Sequence, residues 1–218
     1  MRGLTAVRGV PVALVGPLWR TLPWRASAAA GTLGLLIVGT PLATGAEPAP
    51  WQTLLLLRCA ALTGALGLAF LLDDPARHLT TPVPVPRPVR QALRVALVAP
   101  FAALWWAVVL LLAPSASRPP VREVTLEAVA VGVLALAAAA LAVRVTDEAR
   151  PGPFVAASLL ITAVLAPLLA PEDWALFTQA ADPRWAAAHE KWAVLAAGMA
   201  VMGAACGPEP SGRRAAGR

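Results

Sequence analysis

The fold is decided near the start of the chain by two long apolar runs, ASAAAGTLGLLIVGTPLATGA at residues 26–46 and WQTLLLLRCAALTGALGLAFLL at residues 51–72. Only the short segment Glu47-Pro48-Ala49-Pro50 separates them. A helix rises about 1.5 Å per residue, so roughly 20 mostly apolar residues cross a hydrocarbon core of about 30 Å. Both runs meet this length and similar runs follow. The sequence therefore predicts an all-α, polytopic transmembrane helix bundle.

The composition supports this prediction and limits the function classes. Hydrophobic residues make up 58% of the chain and charged residues 14%, whereas a soluble domain carries about a quarter charged residues. The length of 218 residues suits about six spans and leaves no room for an attached ATPase or kinase domain. The net charge of +6 is spread among the apolar runs, so a nucleic-acid partner is not expected. A single lysine among 18 basic residues and the absence of tyrosine indicate GC-rich coding and a bacterial source.

The apolar runs place the spans in a transmembrane domain of residues 26–206. The predicted spans are 26–45, 51–72, 92–112, 124–143, 153–170 and 192–206. The last is short and could gain length from the helix-like segment 185–191. Residues 1–25 are predicted to be an interfacial cytoplasmic N-terminal segment in contact with membrane lipid. Residues 207–218 are predicted to be a disordered basic cytoplasmic tail.

The basic residues indicate the orientation, because cytoplasmic loops are enriched in Lys and Arg. With the N-terminus inside, four basic residues fall on the outer side and one, Arg58, within the membrane. The other 13 fall on the cytoplasmic side: Arg2, Arg8, Arg20, Arg25, Arg77, Arg87, Arg90, Arg94, Arg144, Arg150, Arg213, Arg214 and Arg218. The sequence therefore predicts a multi-pass protein of the cell membrane with both termini cytoplasmic.

Two charged residues, Arg58 and Glu127, lie within predicted spans at similar depths below the outer surface. Three interpretations remain open. Arg58 could extend its side chain to the outer interface while Glu127 is protonated or lies among headgroups. The two could instead form an ion pair inside the bundle, or they could face a substrate or another subunit.

The segment from Asp73 to Arg94 is the longest predicted cytoplasmic loop between spans. The start Asp73-Asp74-Pro75 suits the N-terminus of a short helix, and four prolines that alternate with other residues follow it. A rigid segment of this kind could couple the bundle to a partner, and a passive linker is the alternative. The predicted coupling residues are Asp73, Asp74, Arg77 and Arg90.

The longest predicted outer loop, residues 171–191, leads into the last span. Trp185, His189 and Trp192 are spaced so that a helix places them on one face, which is expected to lie at the membrane surface. A lone histidine there is more often an interfacial side chain than a ligand. The sequence contains no catalytic, cofactor-binding or metal-binding motif, so it predicts neither an enzyme nor a cofactor or metal site.

Three segments together resemble small six-span membrane proteins of high-GC bacteria, which are similar to permease subunits of ATP-binding-cassette transporters. These segments are FLLDDPAR at residues 70–77, the proline-rich stretch that leads to Arg90 and Arg94, and WAAAHEKW at residues 185–192. The resemblance implies a homo- or heterodimer with another membrane subunit, a separate cytoplasmic ATPase and a coupling helix between spans two and three. The chain departs from well-understood exporters because it has no long re-entrant outer hairpin before span six.

The resemblance implies that the chain is the membrane subunit of a transporter, an ABC-type permease working with a separate ATPase. The alternative is a non-transporting membrane assembly or scaffold protein of a larger membrane complex. An ion-coupled carrier is a weaker third, because one Arg and one Glu form a sparse relay. A neighbouring gene for an ATPase would favour the first, and co-purification with another membrane complex the second.

Overall fold

The computed structural model describes residues 16, 19–73, 87–146, 150–169, 171, 174 and 176–206. These residues form helices joined by short connections, and no strand occurs among them. We number the helices α1 (Trp24–Thr44), α2 (Pro50–Ala69), α3 (Arg87–Leu112), α4 (Val121–Thr146), α5 (Gly152–Leu169) and α6 (Trp185–Ala205). The predicted tail 207–218 and residues 1–15, 17 and 18 of the predicted N-terminal segment lie outside the described residues.

The first five helices are long and apolar enough to cross a membrane, as Trp24–Thr44, Pro50–Leu72, Val89–Leu112, Val121–Thr146 and Gly152–Leu169. Their bounds match the predicted spans to within a few residues. The sixth predicted span is part of the longer helix α6, which begins at Trp185. Its first turns carry His189, Glu190 and Lys191, which lowers its hydropathy and explains why the apolar run alone gave too late a start.

The first two helices form an antiparallel pair whose local sequence specifies the turn. Gly45 ends α1 in the left-handed region, at φ 66°, which glycine adopts without a Cβ penalty. Pro50 stands at the start of α2, and the Gln52 side chain accepts a hydrogen bond of 2.8 Å from the Ala49 N–H. The two apolar runs therefore fold back on each other within five residues.

Helix α2 is the most buried candidate span, and three apolar clusters surround it. One cluster joins it to α1, α3 and α4 through residues that include Val38, Leu57, Val109 and Val124. A second joins its last turns to α4 and α5. A third packs Leu71, just beyond α2, against the chain before α1 and the first half of α3. Helices α1, α3, α4 and α5 thus pack against α2, whereas α6 packs against α4.

The segments that connect the helices lie at two opposite ends of the bundle. We call the end with residues 45–49, 113–120 and 176–184 the Thr178 end. The opposite end, with residues 19–23, 73 and 150–151, is called the Asp73 end. Helix α6 runs beside α4 in the same direction, because His189 lies against Glu127 and a Cβ added at Gly203 would lie 3.5 Å from Ala137.

Trp105 of α3 fits a notch that glycines open between α1 and α2. Its indole N–H donates to the Gly31 carbonyl at 3.0 Å. A Cβ at Gly34 would lie 2.6 Å from the Trp105 ring, and one at Gly64 would lie 2.8 Å from it. Small residues in α1 and α2 therefore make room for the Trp105 ring at a three-helix contact.

We predict that Gly34→Ala destabilises the bundle by about 1–3 kcal/mol, because the added methyl group overlaps Trp105 and Thr63. The matched control is Gly39→Ala in the same helix, where nothing lies within 4 Å of the added Cβ. The control should be neutral or slightly stabilising, since alanine favours helix more than glycine. Unfolding by SDS in mixed micelles measures both. Equal stability of the two variants would contradict this packing.

Candidate functional site, a buried ionic cluster at the Thr178 end

The structure brings Arg58 and Glu127 together between α2 and α4. The Arg58 Nε donates to Oε2 of Glu127 and the Arg58 Nη2 to Oε1, both at 2.7 Å. The Glu127 side chain is only 4% exposed and the Arg58 side chain 18%. This two-pronged geometry satisfies both carboxylate oxygens. Of the three interpretations of these charges, the geometry corresponds to the ion pair.

A backbone carbonyl from the connection before α6 completes the coordination of Arg58. The Nη2 group also donates to the Thr178 carbonyl oxygen at 3.0 Å, and the Phe177 ring lies 5.7 Å from the guanidinium carbon. Thr178 is itself buried. The guanidinium therefore ties the connection before α6 to α2.

Helix α6 supplies a third ionisable group, His189. Its Nε2 lies 3.1 Å from Oε1 of Glu127, and its Nδ1 lies 2.8 Å from the Trp185 carbonyl oxygen. The Trp185 ring covers the imidazole at a centroid distance of 4.2 Å. Glu127 thus contacts basic side chains from two helices, and we call Arg58, Glu127 and His189 the ionic cluster.

The expected interfacial face of Trp185, His189 and Trp192 is corrected by this arrangement. The three side chains share a face, but it turns toward the bundle, and His189 and Trp192 are buried. The Trp192 N–H donates to the Leu176 carbonyl at 3.0 Å, and its ring meets Phe177 edge to face. The face turns inward because its polar groups have partners inside the bundle. The spacing of these residues along the chain does not reveal those partners.

Sequence reasoning missed two further polar contributions at this end. One is the Thr178 carbonyl, which no side-chain pattern could reveal because the contact is made by backbone. The other is a 2.7 Å hydrogen bond between Thr53, which is buried in α2, and Ser117 in the connection before α4. Both fasten a connecting segment to α2.

The predicted coupling segment falls at the Asp73 end, away from the ionic cluster. Asp74 and Arg77 lie outside the described residues. Asp73 accepts a 2.8 Å hydrogen bond from the Gly152 N–H at the start of α5. Arg94, buried one turn after Arg90 in α3, donates to the Asp73 carbonyl at 3.2 Å. The structure thus fastens the described ends of the segment to the bundle.

The surroundings of the Asp73 carboxyl have opposing effects on its pKa. Burial raises the pKa above the ordinary value, whereas the Gly152 N–H and the charges of Arg150 and Arg94 lower it. The carboxyl accepts a hydrogen bond at the positive end of the α5 dipole, a position that suits a carboxylate. This contact is a structural anchor for α5.

Comparisons of the chain with protein-family models, with curated proteins and with solved structures found no match. The helices are consistent with a membrane protein, with at least five long and apolar enough to span a bilayer. The described groups of the ionic cluster are hydrogen-bonding side chains from α2, α4 and α6. This arrangement can fasten these helices together.

We predict energetic coupling between Arg58 and Glu127. Removing one partner leaves the other buried and unpaired. The losses of stability in Arg58→Leu and Glu127→Leu should therefore add up to more than the loss in the double variant. A double-mutant cycle in SDS unfolding should give a coupling free energy of at least about 0.5 kcal/mol.

The control for that cycle is the Asp182–Arg184 pair, which lies 3.1 Å apart but is largely exposed on the Arg184 side. Water screens such pairs, so Asp182→Ala and Arg184→Ala should be nearly additive. Additivity at Arg58 and Glu127 as well would show that the ion pair does not stabilise the fold.

Proposed function

We propose that all six helices cross the membrane, with the Thr178 end outside and both termini cytoplasmic. The support for α6 is its position: it runs beside α4 in the same direction, and Arg144 near the end of α4 donates to the Ala205 carbonyl at the end of α6. A helix that is in contact with a span at both ends extends through the same slab. The 13 to 4 division of basic residues supports the orientation.

Cysteine accessibility tests this topology. Single cysteines at Ser115 and Gln179, in a chain with Cys59→Ala and Cys206→Ala, should react with a membrane-impermeant maleimide added outside intact cells. A cysteine at Thr146, near the Asp73 end of α4, should react only after permeabilisation. Labelling of the first two positions only after permeabilisation would contradict the topology.

We further propose that the chain is the membrane subunit of an ABC-type transporter and works with a separate cytoplasmic ATPase. The observation that carries this proposal is the anchoring of the coupling segment. Asp73, the first residue of the segment, is hydrogen-bonded to the start of α5 and to Arg94 of α3, so it joins the end of α2 to both helices. Such coupling between a cytoplasmic partner and several spans is what a permease requires.

A dimer with a second copy or another membrane subunit accompanies the proposal, in line with the resemblance. Large apolar side chains are exposed on several helices, including Leu36, Leu104, Leu111, Phe154 and Leu168. In a membrane these faces meet lipid or another subunit.

Co-purification tests the transporter proposal. The full chain, extracted in mild detergent from its native cells, should bring down an ATPase subunit, and Asp74→Lys with Arg77→Glu should abolish that association while the bundle stays folded. Glu47→Lys, in the turn at the opposite end, is the matched control and should leave the association intact. The absence of an ATPase from the wild-type complex would overturn the proposal.

One observation favours the alternative, a non-transporting assembly or scaffold protein. The charged groups of the ionic cluster are engaged with one another, as suits a brace between helices. A scaffold would co-purify with another membrane complex and without an ATPase, so the same experiment separates the two functions.

A further inference from the structure

Three buried polar atoms, at the start of α6 and in the connection before it, have no hydrogen-bond partner among the residues that the structure describes. They are the hydroxyl oxygen of Thr178, the indole nitrogen of Trp185 and Nε2 of His189. Thr178 and His189 are only 4% and 6% exposed. A buried polar group without a partner destabilises a protein, so nearly all such groups are hydrogen-bonded to the chain or to ordered water.

The three atoms belong to side chains at one place in the bundle. The centroids of the Trp185 and His189 rings lie 4.2 Å apart. Nε2 of His189 lies 3.1 Å from Oε1 of Glu127 but forms no hydrogen bond with it. The same carboxylate oxygen accepts from Nη2 of Arg58, which also donates to the Thr178 carbonyl. The unpartnered atoms therefore lie beside the ion pair, between α4, α6 and the connection before α6.

The hydrogen-bonding capacities of these atoms indicate the kind of ligand that suits them. The Trp185 indole N–H can only donate, so its partner must accept. The Thr178 hydroxyl both donates and accepts, and Nε2 of His189 does one or the other according to its tautomer. A partner for all three must therefore both donate and accept. A water molecule does so, and a buried water typically makes about three hydrogen bonds to polar groups of this kind.

We propose that Thr178, Trp185 and His189 form a binding site for internal water, which joins the start of α6 to the connection before it. The direct hydrogen bond from Arg58 to the Thr178 carbonyl ties that connection to α2. The water adds a second tie, from the Thr178 hydroxyl to α6. Bridging water holds two polar groups nearly as well as a direct hydrogen bond does. This inference does not depend on the transporter proposal.

The direct test is magnetisation transfer from water to indole N–H groups, measured by NMR on the full chain in lipid bilayers with ¹⁵N-labelled tryptophan. The Trp185 indole should give a strong water signal, which is assigned by its loss in Trp185→Phe. The matched control is Trp192, whose buried indole N–H donates to the Leu176 carbonyl and should give a signal several-fold weaker. Equal transfer to the two indoles would overturn the proposal.

The variant Thr178→Val tests whether the two residues share this water. It removes one hydrogen-bond partner of the water, so the water signal of the Trp185 indole should weaken several-fold while that of Trp192 stays the same. An unchanged Trp185 signal would overturn the claim that Thr178 belongs to the site.

The stability of Thr178→Val gives a second test, because its two outcomes have opposite signs. If the hydroxyl binds water, the variant loses a hydrogen bond and unfolds at a lower fraction of SDS in mixed micelles. If the hydroxyl has no partner, the variant removes an uncompensated polar group and unfolds at a higher fraction. Thr53→Val is the matched control and should unfold at a lower fraction, since the Thr53 hydroxyl lies 2.7 Å from the Ser117 hydroxyl. A stabilised Thr178→Val would overturn the proposal.

Discussion

The carboxylate of Glu127 is the constraint on which the arrangement of α2, α4 and α6 depends. It is buried among helices that are long and apolar enough to span a membrane, so the partners that compensate its charge come from the chain itself. Arg58 of α2 donates two hydrogen bonds to it, and His189 of α6 approaches it to 3.1 Å. A helix bundle in lipid has little hydrophobic drive to order its helices, so polar contacts of this kind select which helices are neighbours.

The last helix, α6, shows how such polar contacts place a helix in the bundle. Unlike the first five helices, α6 is not among those long and apolar enough to cross a membrane, and its early turns contain His189, Glu190 and Lys191. Contacts at both ends hold it against α4, through His189 and Glu127 at one end and through Arg144 and the Ala205 carbonyl at the other. These contacts with α4 fix the position of α6, which its hydropathy alone does not determine. At the Asp73 end, the Asp73 carboxyl accepts a hydrogen bond from the start of α5 and holds that helix in a similar way.

The sequence was sufficient to predict the helices and the two charges within spans, because apolar length and charge are local properties. The sequence could not decide whether the Arg58 side chain extends to the membrane interface or pairs with Glu127, because both arrangements are compatible with the same positions in the chain. The inward face of His189, the Thr178 carbonyl contact and the glycine notch for Trp105 depend on tertiary packing. The coupling role of residues 74–86 and the ATPase partner stay predictions.

The most direct test of the account is a disulfide between α4 and α6. A Cβ at Gly203 would lie 3.5 Å from the Ala137 Cβ, a separation that a disulfide spans. Ala137→Cys with Gly203→Cys, in a chain with Cys59→Ala and Cys206→Ala, should cross-link efficiently in native membranes on mild oxidation. The pairing of Ala137→Cys with Val201→Cys, an exposed position on α6, should not. Failure of the first pair to cross-link would contradict a sixth helix that runs beside α4.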